Sequence, residues 1–287
     1  MPIKPVPKAA ARSCLALVAA TVLASCATHK PTSVPSLATL SAERLEPLET
    51  DYPGTVLKRE APSPYTWVFI ESDGSAFGSW PTRKPAPPKV HHSVALSLAR
   101  EVTNHTVVYL ARPCQFLFRT PSPGQCLDPL LWTNGRYSDD QVTLIEDGIR
   151  QTLGATKTTL VVVGHSGGGV IALRLAQRAR LPIHCTITLA SPIDIKAWQR
   201  HHQIRATLEI TDPGDLVGTP SRFRAIFIFG SNDQTVPPAA IGRWAKEARR
   251  GLNIHEITLA AAHNHGWSDA LDLIDFAACA PKRKVKP

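Results

Sequence analysis

A small polar residue stands among glycines where two kinds of sequence pattern meet. Residues 158–163 are rich in β-branched side chains, residues 164–168 read Gly-His-Ser-Gly-Gly, and a helical pattern then runs to residue 176. A G-x-S-x-G pattern between a strand and a helix is typical of a nucleophile on a sharp turn. The glycines let strand and helix approach closely and place Ser166 Oγ at the helix N-terminus. The N–H of Gly167 would face an oxyanion formed there.

A glycine-rich phosphate-binding turn is the alternative interpretation of this stretch. It lacks the spacing and lysine of a Walker motif, and it has no G-x-G-x-x-G. We therefore interpret Ser166 as a nucleophile. With these features the chain resembles the α/β-hydrolase superfamily over about residues 54–278. The resemblance implies a serine hydrolase with the chain order serine, acid, histidine, and neither a cofactor nor a metal is expected.

A serine hydroxyl needs a base, and the base needs an acid to orient it. Asp233 follows a predicted strand by a short turn and precedes Val236-Pro237, which resembles the superfamily's pattern for the acid. Its carboxylate would orient an imidazole and offset its positive charge. An Asx turn at Asp233 is the alternative role, and Asp194 is the second candidate acid.

Two histidines follow the last predicted strand, within residues 261–267. We predict His263 as the base, because family loops of this kind place the catalytic histidine first, before a small polar residue. His265 remains the alternative, and His165 is predicted to pack against the pocket or line it. Two tandem pairs are weak metal candidates, because adjacent helical residues do not share a face: His91–His92 and His201–His202.

The second oxyanion donor is expected in the turn after an earlier strand. The predicted strand at 65–72 ends in Asp73-Gly74-Ser75. Gly74 would allow close approach of the backbone to substrate, and we predict the N–H of Ser75 as the donor. A plain Asp-Gly turn is the alternative.

The elements that must position these residues alternate along the chain. Strands are predicted at 65–72, 106–111, 158–163, 183–189, 225–229 and 254–259, and helices at about 92–101, 138–151, 167–176, 237–250 and 267–278. Several strands are continuous apolar runs, which favours a mostly parallel central sheet with helices on both faces, the α/β class. Ser138 and Gln141 form a capping-box pattern. Residues 192–220, which include Trp198, are predicted to form a lid or pocket wall.

Four cysteines fall within the predicted domain. Cys114 and Cys126 bracket a loop of Pro, Gly and Ser, and we favour their pairing, which would stabilise the fold by about 3 kcal/mol. Cys185 then pairs with Cys279 or stays a buried free thiol.

A narrower resemblance rests on three stretches and a cysteine-containing loop. The stretches IESDGSAFGSW, YLARPCQF and LWTNGRYS, with that loop, are similar to a group of uncharacterised bacterial α/β hydrolases, many of them secreted or lipid-anchored. The group usually has Glu-Gly-Asp-Gly where this chain has Glu-Ser-Asp-Gly. The resemblance implies a Cys114–Cys126 disulfide and a histidine followed closely by tryptophan, here Trp267.

Residues 1–25 read as a signal peptide, with three cations, no acid and a short apolar run. The ending Leu-Ala-Ser-Cys resembles the lipobox of bacterial lipoproteins. The resemblance implies cleavage before Cys26, a diacylglyceryl thioether on its sulfur and an amino terminus acylated with a palmitate-like chain. Ala27 then implies sorting to the outer membrane, facing the periplasm. A secretory signal with a chance cysteine is the alternative.

The remaining chain divides into three predicted parts: a flexible tether at 26–50, a hydrolase domain at 51–280 and a basic tail at 281–287. The net charge of +9 is concentrated in the signal and the tail, which leaves the domain close to balanced. We find no basic stripe with aromatic residues, so no nucleic-acid partner is expected.

These patterns predict a lipid-anchored serine hydrolase acting on a small or lipid-like acyl substrate, most simply a carboxylic ester. A peptidase, thioesterase or amidase could use the same triad of Ser166, Asp233 and His263. A non-catalytic envelope-binding lipoprotein on this scaffold is the alternative from another class. The sequence does not fix the oligomeric state.

Overall fold

The order of strands and helices follows the predicted alternation. The computed structural model describes residues 34–77, 85–115, 126, 128–204, 212–213, 224–241 and 253–282. The strands are β1 (Glu46–Pro47), β2 (Val56–Arg59), β3 (Tyr65–Ile70), β4 (Ser75–Phe77), β5 (Pro85–Lys89), β6 (Thr106–Leu110), β7 (Thr159–His165), β8 (Ile183–Leu189), β9 (Arg224–Gly230), β10 (Asn253–Leu259), β11 (Ile274–Asp275) and β12 (Ala280–Pro281). The α-helices are α1 (Leu37–Ala42), α2 (Val94–Glu101), α3 (Asp139–Leu153), α4 (Gly167–Arg178) and α5 (Ile195–His201), with 3₁₀ turns at Pro129–Trp132, Pro238–Ile241 and Leu271–Leu273.

Within these ranges the main sheet has eight strands in the order β1-β2-β6-β3-β7-β8-β9-β10. Six neighbouring strands run parallel, in the spatial order β6-β3-β7-β8-β9-β10. At one edge β2 pairs antiparallel with β6, and β1 pairs antiparallel with β2. Parallel strands joined by crossovers bring their carboxyl ends to one edge. The turns after β3, β7, β9 and β10 therefore meet there. This confirms the predicted mostly parallel sheet.

Alternate residues of the central strands enter two different cores. In β3, Trp67 and Phe69 pack with the apolar face of α2 on one side of the sheet. Val68 and Ile70 pack with α3 and α4 on the other side. Because side chains alternate across a strand, apolar residues at every position indicate burial on both faces.

The described part of the predicted tether, residues 34–50, is folded onto the domain. Leu40 of α1 and Leu45 are completely buried, and Glu43 accepts hydrogen bonds of 2.7 and 2.5 Å from Arg100 of α2. Burial of each leucine contributes about 1.5–3 kcal/mol, which outweighs the polar composition of the segment. The prediction of a flexible tether up to residue 50 is therefore wrong for these residues. The predicted signal peptide, Cys26 and residues 283–287 lie outside the described residues.

Two other local predictions differ from the structure. Residues 267–278 do not form a helix: a 3₁₀ turn at Leu271–Leu273 leads into β11, which pairs with β12. Tertiary constraints at Cys279 override the helical spacing of apolar residues. The predicted helix at 237–250 begins as the 3₁₀ turn at Pro238–Ile241, and the rest of it lies outside the described residues.

The capping box at α3 is only half formed. The N–H of Gln141 donates to Ser138 Oγ at 3.4 Å. The N–H of Ser138 donates instead to the carbonyl of Gly135 at 2.8 Å.

Both cysteine pairs form disulfides. Cys114 is bonded to Cys126 with an S–S distance of 2.05 Å, which confirms the favoured pairing. Cys185 of β8 is bonded to Cys279 at 1.99 Å, so it is not a free thiol. Across the part of the chain described here, no helix is long and apolar enough to span a membrane.

Candidate active site

Ser166 occupies the turn between β7 and α4, with no other residue between the strand and the helix. Its backbone has φ 51° and ψ −122°, a region that costs a non-glycine residue about 1–3 kcal/mol. The neighbouring glycines are sterically required. A Cβ on Gly164 would overlap the backbone of Gly168, and a Cβ on Gly168 would overlap the carbonyl of Ile70. The turn is thus held strained by close packing on both sides.

The imidazole of His263 lies between Ser166 and Asp233. His263 Nε2 is 3.1 Å from Ser166 Oγ, and His263 Nδ1 is 2.9 Å from Asp233 Oδ2. The Asp233 side chain is 0 % exposed and that of His263 is 17 % exposed. A carboxylate accepts hydrogen bonds, so Nδ1 carries the hydrogen and the Nε2 lone pair faces the serine hydroxyl.

The carboxylate of Asp233 is held by the turn in which it lies. Its Oδ1 accepts hydrogen bonds of 2.8 Å from the N–H groups of Thr235 and Val236. Burial by itself raises the pKa of Asp233, but hydrogen bonds from His263, Val236 and Thr235 lower that pKa below its ordinary value. Asp233 therefore has both predicted roles: Oδ1 makes the contacts of an Asx-type turn, and Oδ2 orients His263.

The alternative candidates have other contacts. His265 forms an isolated backbone bridge with Ala262 and does not line the pocket at Ser166. Asp194 is the N-cap of α5, where its Oδ1 accepts from the N–H of Ala197 at 2.8 Å. The structure thus brings His263 and Asp233 to the serine.

The two residues predicted as oxyanion donors lie in different elements. Gly167 is the first residue of α4, directly after Ser166, and Ser75 opens β4 in the wall of the pocket at Ser166. The carboxylate of Asp73 lies against Gly167, where a Cβ on Gly167 would overlap it. A negative charge this close to the N–H of Gly167 has to be neutralised if that N–H is to bind an anion.

Asp73 is neutralised by a cluster that the sequence analysis did not identify. Its Oδ1 accepts from Arg112 Nη1 at 2.6 Å, and its Oδ2 accepts from Arg136 Nε at 3.1 Å and from the hydroxyl of Tyr137. Burial raises the pKa of Tyr137, so its hydroxyl stays protonated and donates. The sequence contains these three partners of Asp73 in the stretches YLARPCQF and LWTNGRYS, which could have indicated the cluster.

A second acid, Glu71, lies beneath this turn and is completely buried. Its carboxylate accepts from the N–H of Ser72 at 2.7 Å, from the hydroxyl of Tyr109 at 2.7 Å and from the hydroxyl of Ser93. Burial raises the pKa of Glu71 against the opposing effect of these hydrogen bonds. Glu71 therefore fixes the start of the Ser72–Ser75 turn from below.

The pocket at Ser166 has a volume of about 390 Å³. Pro192 and Trp198 form one wall, and Trp198 Nε1 donates to the carbonyl of Thr235 at 2.7 Å. These residues meet the expectation of a pocket wall within 192–220, of which 205–211 and 214–220 lie outside the described residues. His91 and His92 also line the pocket, but no group of three or more potential metal ligands occurs among the residues that the structure describes.

Comparisons with known proteins identify the fold class of this chain. A sequence model of the PGAP1-like alpha/beta domain matches residues 129–211, the stretch that contains β7, Ser166 and α4. No protein with a curated description matches the chain by sequence.

Solved structures extend the similarity to most of the chain. An esterase from Pyrococcus furiosus superposes with a TM-score of 0.57 at 12 % identity, over 84 % of this chain and 93 % of the esterase chain. An acylaminoacyl peptidase from Pyrococcus horikoshii superposes with a TM-score of 0.53 at 12 % identity, over 82 % of this chain and 40 % of the peptidase chain. The chain therefore has the α/β-hydrolase fold, which confirms the sequence-based prediction. Identities this low establish shared architecture, while the likeness to the bacterial lipoprotein group stays a prediction.

Proposed function

We propose that this protein is a serine hydrolase that cleaves a carboxylic ester through an acyl-enzyme. One observation carries the proposal: the unbroken hydrogen-bond chain from Ser166 Oγ through His263 to the buried carboxylate of Asp233, with contacts of 3.1 and 2.9 Å. A hydroxyl within reach of an oriented imidazole is the arrangement that nucleophilic catalysis requires.

In the acylation half-reaction, Ser166 Oγ bonds to the acyl carbon while its proton moves to His263 Nε2. The carbonyl electron pair moves onto oxygen and gives a tetrahedral oxyanion. When that pair re-forms the carbonyl, the carbon–oxygen bond to the leaving group breaks, and the departing alkoxide takes the proton from Nε2. The products are an alcohol and the acyl ester of Ser166.

Deacylation repeats these steps with water as the nucleophile. His263 Nε2 takes a proton from water as its oxygen bonds to the acyl carbon, and it returns the proton to Ser166 Oγ as the ester bond breaks. A carboxylic acid leaves and the serine hydroxyl is regenerated. Asp233, whose pKa is lowered in the fold, stays ionised and stabilises the transient imidazolium.

We assign the oxyanion contacts to the N–H of Gly167 and the N–H of Ser75. Gly167 supports this because it lies at the N-terminus of α4, where backbone N–H groups and the helix dipole favour negative charge. Ser75 supports it by its place in the pocket wall. The guanidinium groups on Asp73 keep that acid from repelling the developing charge.

The test uses a fluorophosphonate probe and a panel of 4-nitrophenyl esters. We expect the probe to label Ser166 of the wild-type protein, and the Ser166→Ala variant to lose labelling and turnover. The residual rate should be lower by about 10⁴-fold or more. A wild-type protein that neither reacts with the probe nor turns over any ester would instead support a non-catalytic binding role.

The bond type is tested by three substrates that share one acyl group. An oxygen ester, a thioester and an anilide of that acid separate esterase, thioesterase and amidase activity. We expect the largest kcat/KM for the oxygen ester. A larger value for the anilide would make amide hydrolysis the function of the same triad.

We also propose that the domain is attached to the outer membrane of the bacterial envelope through a lipid on Cys26. The support is the sequence at 23–26 and the cationic, apolar stretch before it. Metabolic labelling with an alkyne fatty acid should mark the wild-type protein and leave Cys26→Ser unmarked. Equal labelling of both proteins would remove the anchor from the proposal.

A further inference from the structure

His165 lies directly beneath the base of the triad. Its side chain is completely buried, and its ring centroid is 5.1 Å from that of His263. His165 Nε2 is 2.8 Å from the main-chain carbonyl oxygen of His263. Because a carbonyl oxygen only accepts, Nε2 carries the hydrogen and donates it. The other ring nitrogen, Nδ1, is buried and has no hydrogen-bond partner among the described residues.

The carbonyl that His165 binds belongs to the peptide at the tip of a tight turn. The N–H of Ala262 donates to the carbonyl of His265 at 3.0 Å, and the N–H of His265 donates back at 3.4 Å. His263 and Asn264 therefore form the tip. Turn types differ mainly in the orientation of this middle peptide, which the closing hydrogen bonds leave unfixed.

Two side-chain donors fix that middle peptide. Trp267 Nε1 donates to the same carbonyl of His263 at 3.1 Å, beside the hydrogen bond from His165. Trp267 follows the turn, whereas His165 belongs to a different strand, β7, and directly precedes Ser166. Of the two donors, only His165 connects the turn at 262–265 to β7, the strand that leads into Ser166.

We propose that His165 is a positioning residue, a neutral N–H donor that fixes the peptide after His263 and thereby aims the imidazole at Ser166 Oγ. This inference rests on the proposed function of the triad. The backbone on the serine side is fixed too, because the N–H of Ser166 donates to the carbonyl of Leu189 at 2.8 Å. His165 thus links the backbone of the base directly to the backbone of the nucleophile.

A positioning residue in this place must remain uncharged during turnover. Burial, together with the nearby charge of His263, lowers the pKa of His165 to about 3. When His263 takes the proton of Ser166 and becomes an imidazolium, His165 therefore does not compete for that proton or repel the charge. An error in aim of about 1 Å at such a contact can reduce the rate about 100-fold.

The experiment compares two substitutions at His165 with a matched control elsewhere. His165→Gln keeps an N–H donor at the position of Nε2, whereas His165→Leu removes the donor and keeps the bulk. His184 is the control, because its Nε2 also meets main-chain carbonyls, those of Phe276 at 3.2 Å and Ala277 at 3.1 Å. It lies at the start of β8, away from the pocket at Ser166.

Steady-state kinetics on a 4-nitrophenyl ester and thermal unfolding are measured for each full-length variant. We expect His165→Leu to lower kcat by about 30- to 100-fold with KM changed less than about twofold. His165→Gln should recover most of that loss, to within about fivefold of wild type. His184→Leu should keep the wild-type kcat. A wild-type kcat in His165→Leu, or equal losses in the Leu and Gln variants, would overturn the proposal.

Two further measurements keep the inference testable if His165→Leu does not fold. Trp267→Phe removes the second donor and should lower kcat by about three- to tenfold without changing KM. ¹⁵N NMR of the imidazoles in Ser166→Ala should show His165 as an uncharged Nε2–H tautomer from about pH 5 to 9. Protonation of His165 in that range, or hydrogen on Nδ1, would refute the positioning role. Absence of ester hydrolysis by the wild type would refute the proposed function, and the NMR result distinguishes the two failures.

Discussion

The two ends of the central sheet are stabilised by different interactions. At the carboxyl ends of the strands, buried polar groups predominate: Glu71, Arg112, His165 and Asp233 are all at least nine-tenths buried. Each of them makes hydrogen bonds with residues from another segment of the chain. These contacts hold charges and lone pairs in place around Ser166.

At the amino ends, aromatic packing and a disulfide bond stabilise the fold. Trp67 packs edge-on against Phe276 with centroids 4.3 Å apart and stacks on His105 at 5.8 Å. Cys185 and Cys279 join β8 to the C-terminal segment. The comparison indicates that a network of buried ionisable groups surrounds Ser166, where chemistry requires preorganised charge, while aromatic packing and a disulfide stabilise the other end. Changes at the carboxyl end should therefore affect catalysis most, and changes at the amino end should affect stability alone.

The largest effect is expected from Asp233→Asn at the carboxyl end. The variant keeps the shape of the side chain but replaces the carboxylate that holds Nδ1–H, so the imidazole can take the wrong tautomer. We expect kcat to fall by about 10⁴-fold in ester hydrolysis assays. His265→Gln is the control and should keep wild-type activity. A stronger loss in that control would move the role of base to His265.

The next largest effect is expected from Arg112→Met, which leaves Asp73 with one guanidinium partner. The Arg112 side chain is 4 % exposed, and breaking such a buried pair costs about 3–5 kcal/mol of unfolding free energy. Chemical denaturation measures this loss, and kcat should fall as well because Asp73 lies against Gly167. The double variant Arg112→Met, Asp73→Asn should recover part of both. Wild-type kcat in a folded Arg112→Met protein would show that the cluster serves the fold only.

At the amino end, replacing Cys185 and Cys279 together with serine should separate stability from activity. Loss of a native disulfide typically costs about 2–5 kcal/mol, so the thermal midpoint should fall. We expect kcat and KM to remain at wild-type values at a temperature where the variant is folded. A fall in kcat there would show that the two ends are coupled.

The smallest effect concerns the contribution of Glu71 to the pH dependence of stability. Burial raises the pKa of Glu71 above its ordinary value of 4.5, so the folded state binds this proton more tightly than the unfolded state. The contribution of Glu71 is therefore present below pH 4.5 and is lost as the pH rises through the folded-state pKa. Denaturation should therefore show that the free energy of unfolding of wild type falls relative to that of Glu71→Gln as the pH rises through this range. A constant difference between the two proteins would contradict this contribution of Glu71.

Much of the scaffold could be predicted because its signals are local. The strand from Ile183 to Leu189 has the predicted bounds, and the turn at Ser166 follows from glycines whose Cβ atoms would not fit. The helix predicted at 267–278 failed, because the disulfide at Cys279 and the β11–β12 pairing act against an amphipathic spacing. The fold of residues 34–50 could not be predicted, because burial of Leu40 and Leu45 depends on surfaces far away in the chain.

The sequence by itself determined the fold class, the strained turn and the identity of the serine. The alternation of apolar strands with helical patterns decides the first, and sterics between neighbouring residues decide the other two. It narrowed the base to two histidines but could not choose between them by geometry. Only the tertiary structure brought His263 to a serine 97 positions away, placed Asp73 between two arginines, and set His165 beneath the base. These contacts join loops that follow different strands of the sheet. The distances between their atoms depend on how the whole core packs rather than on any local sequence pattern.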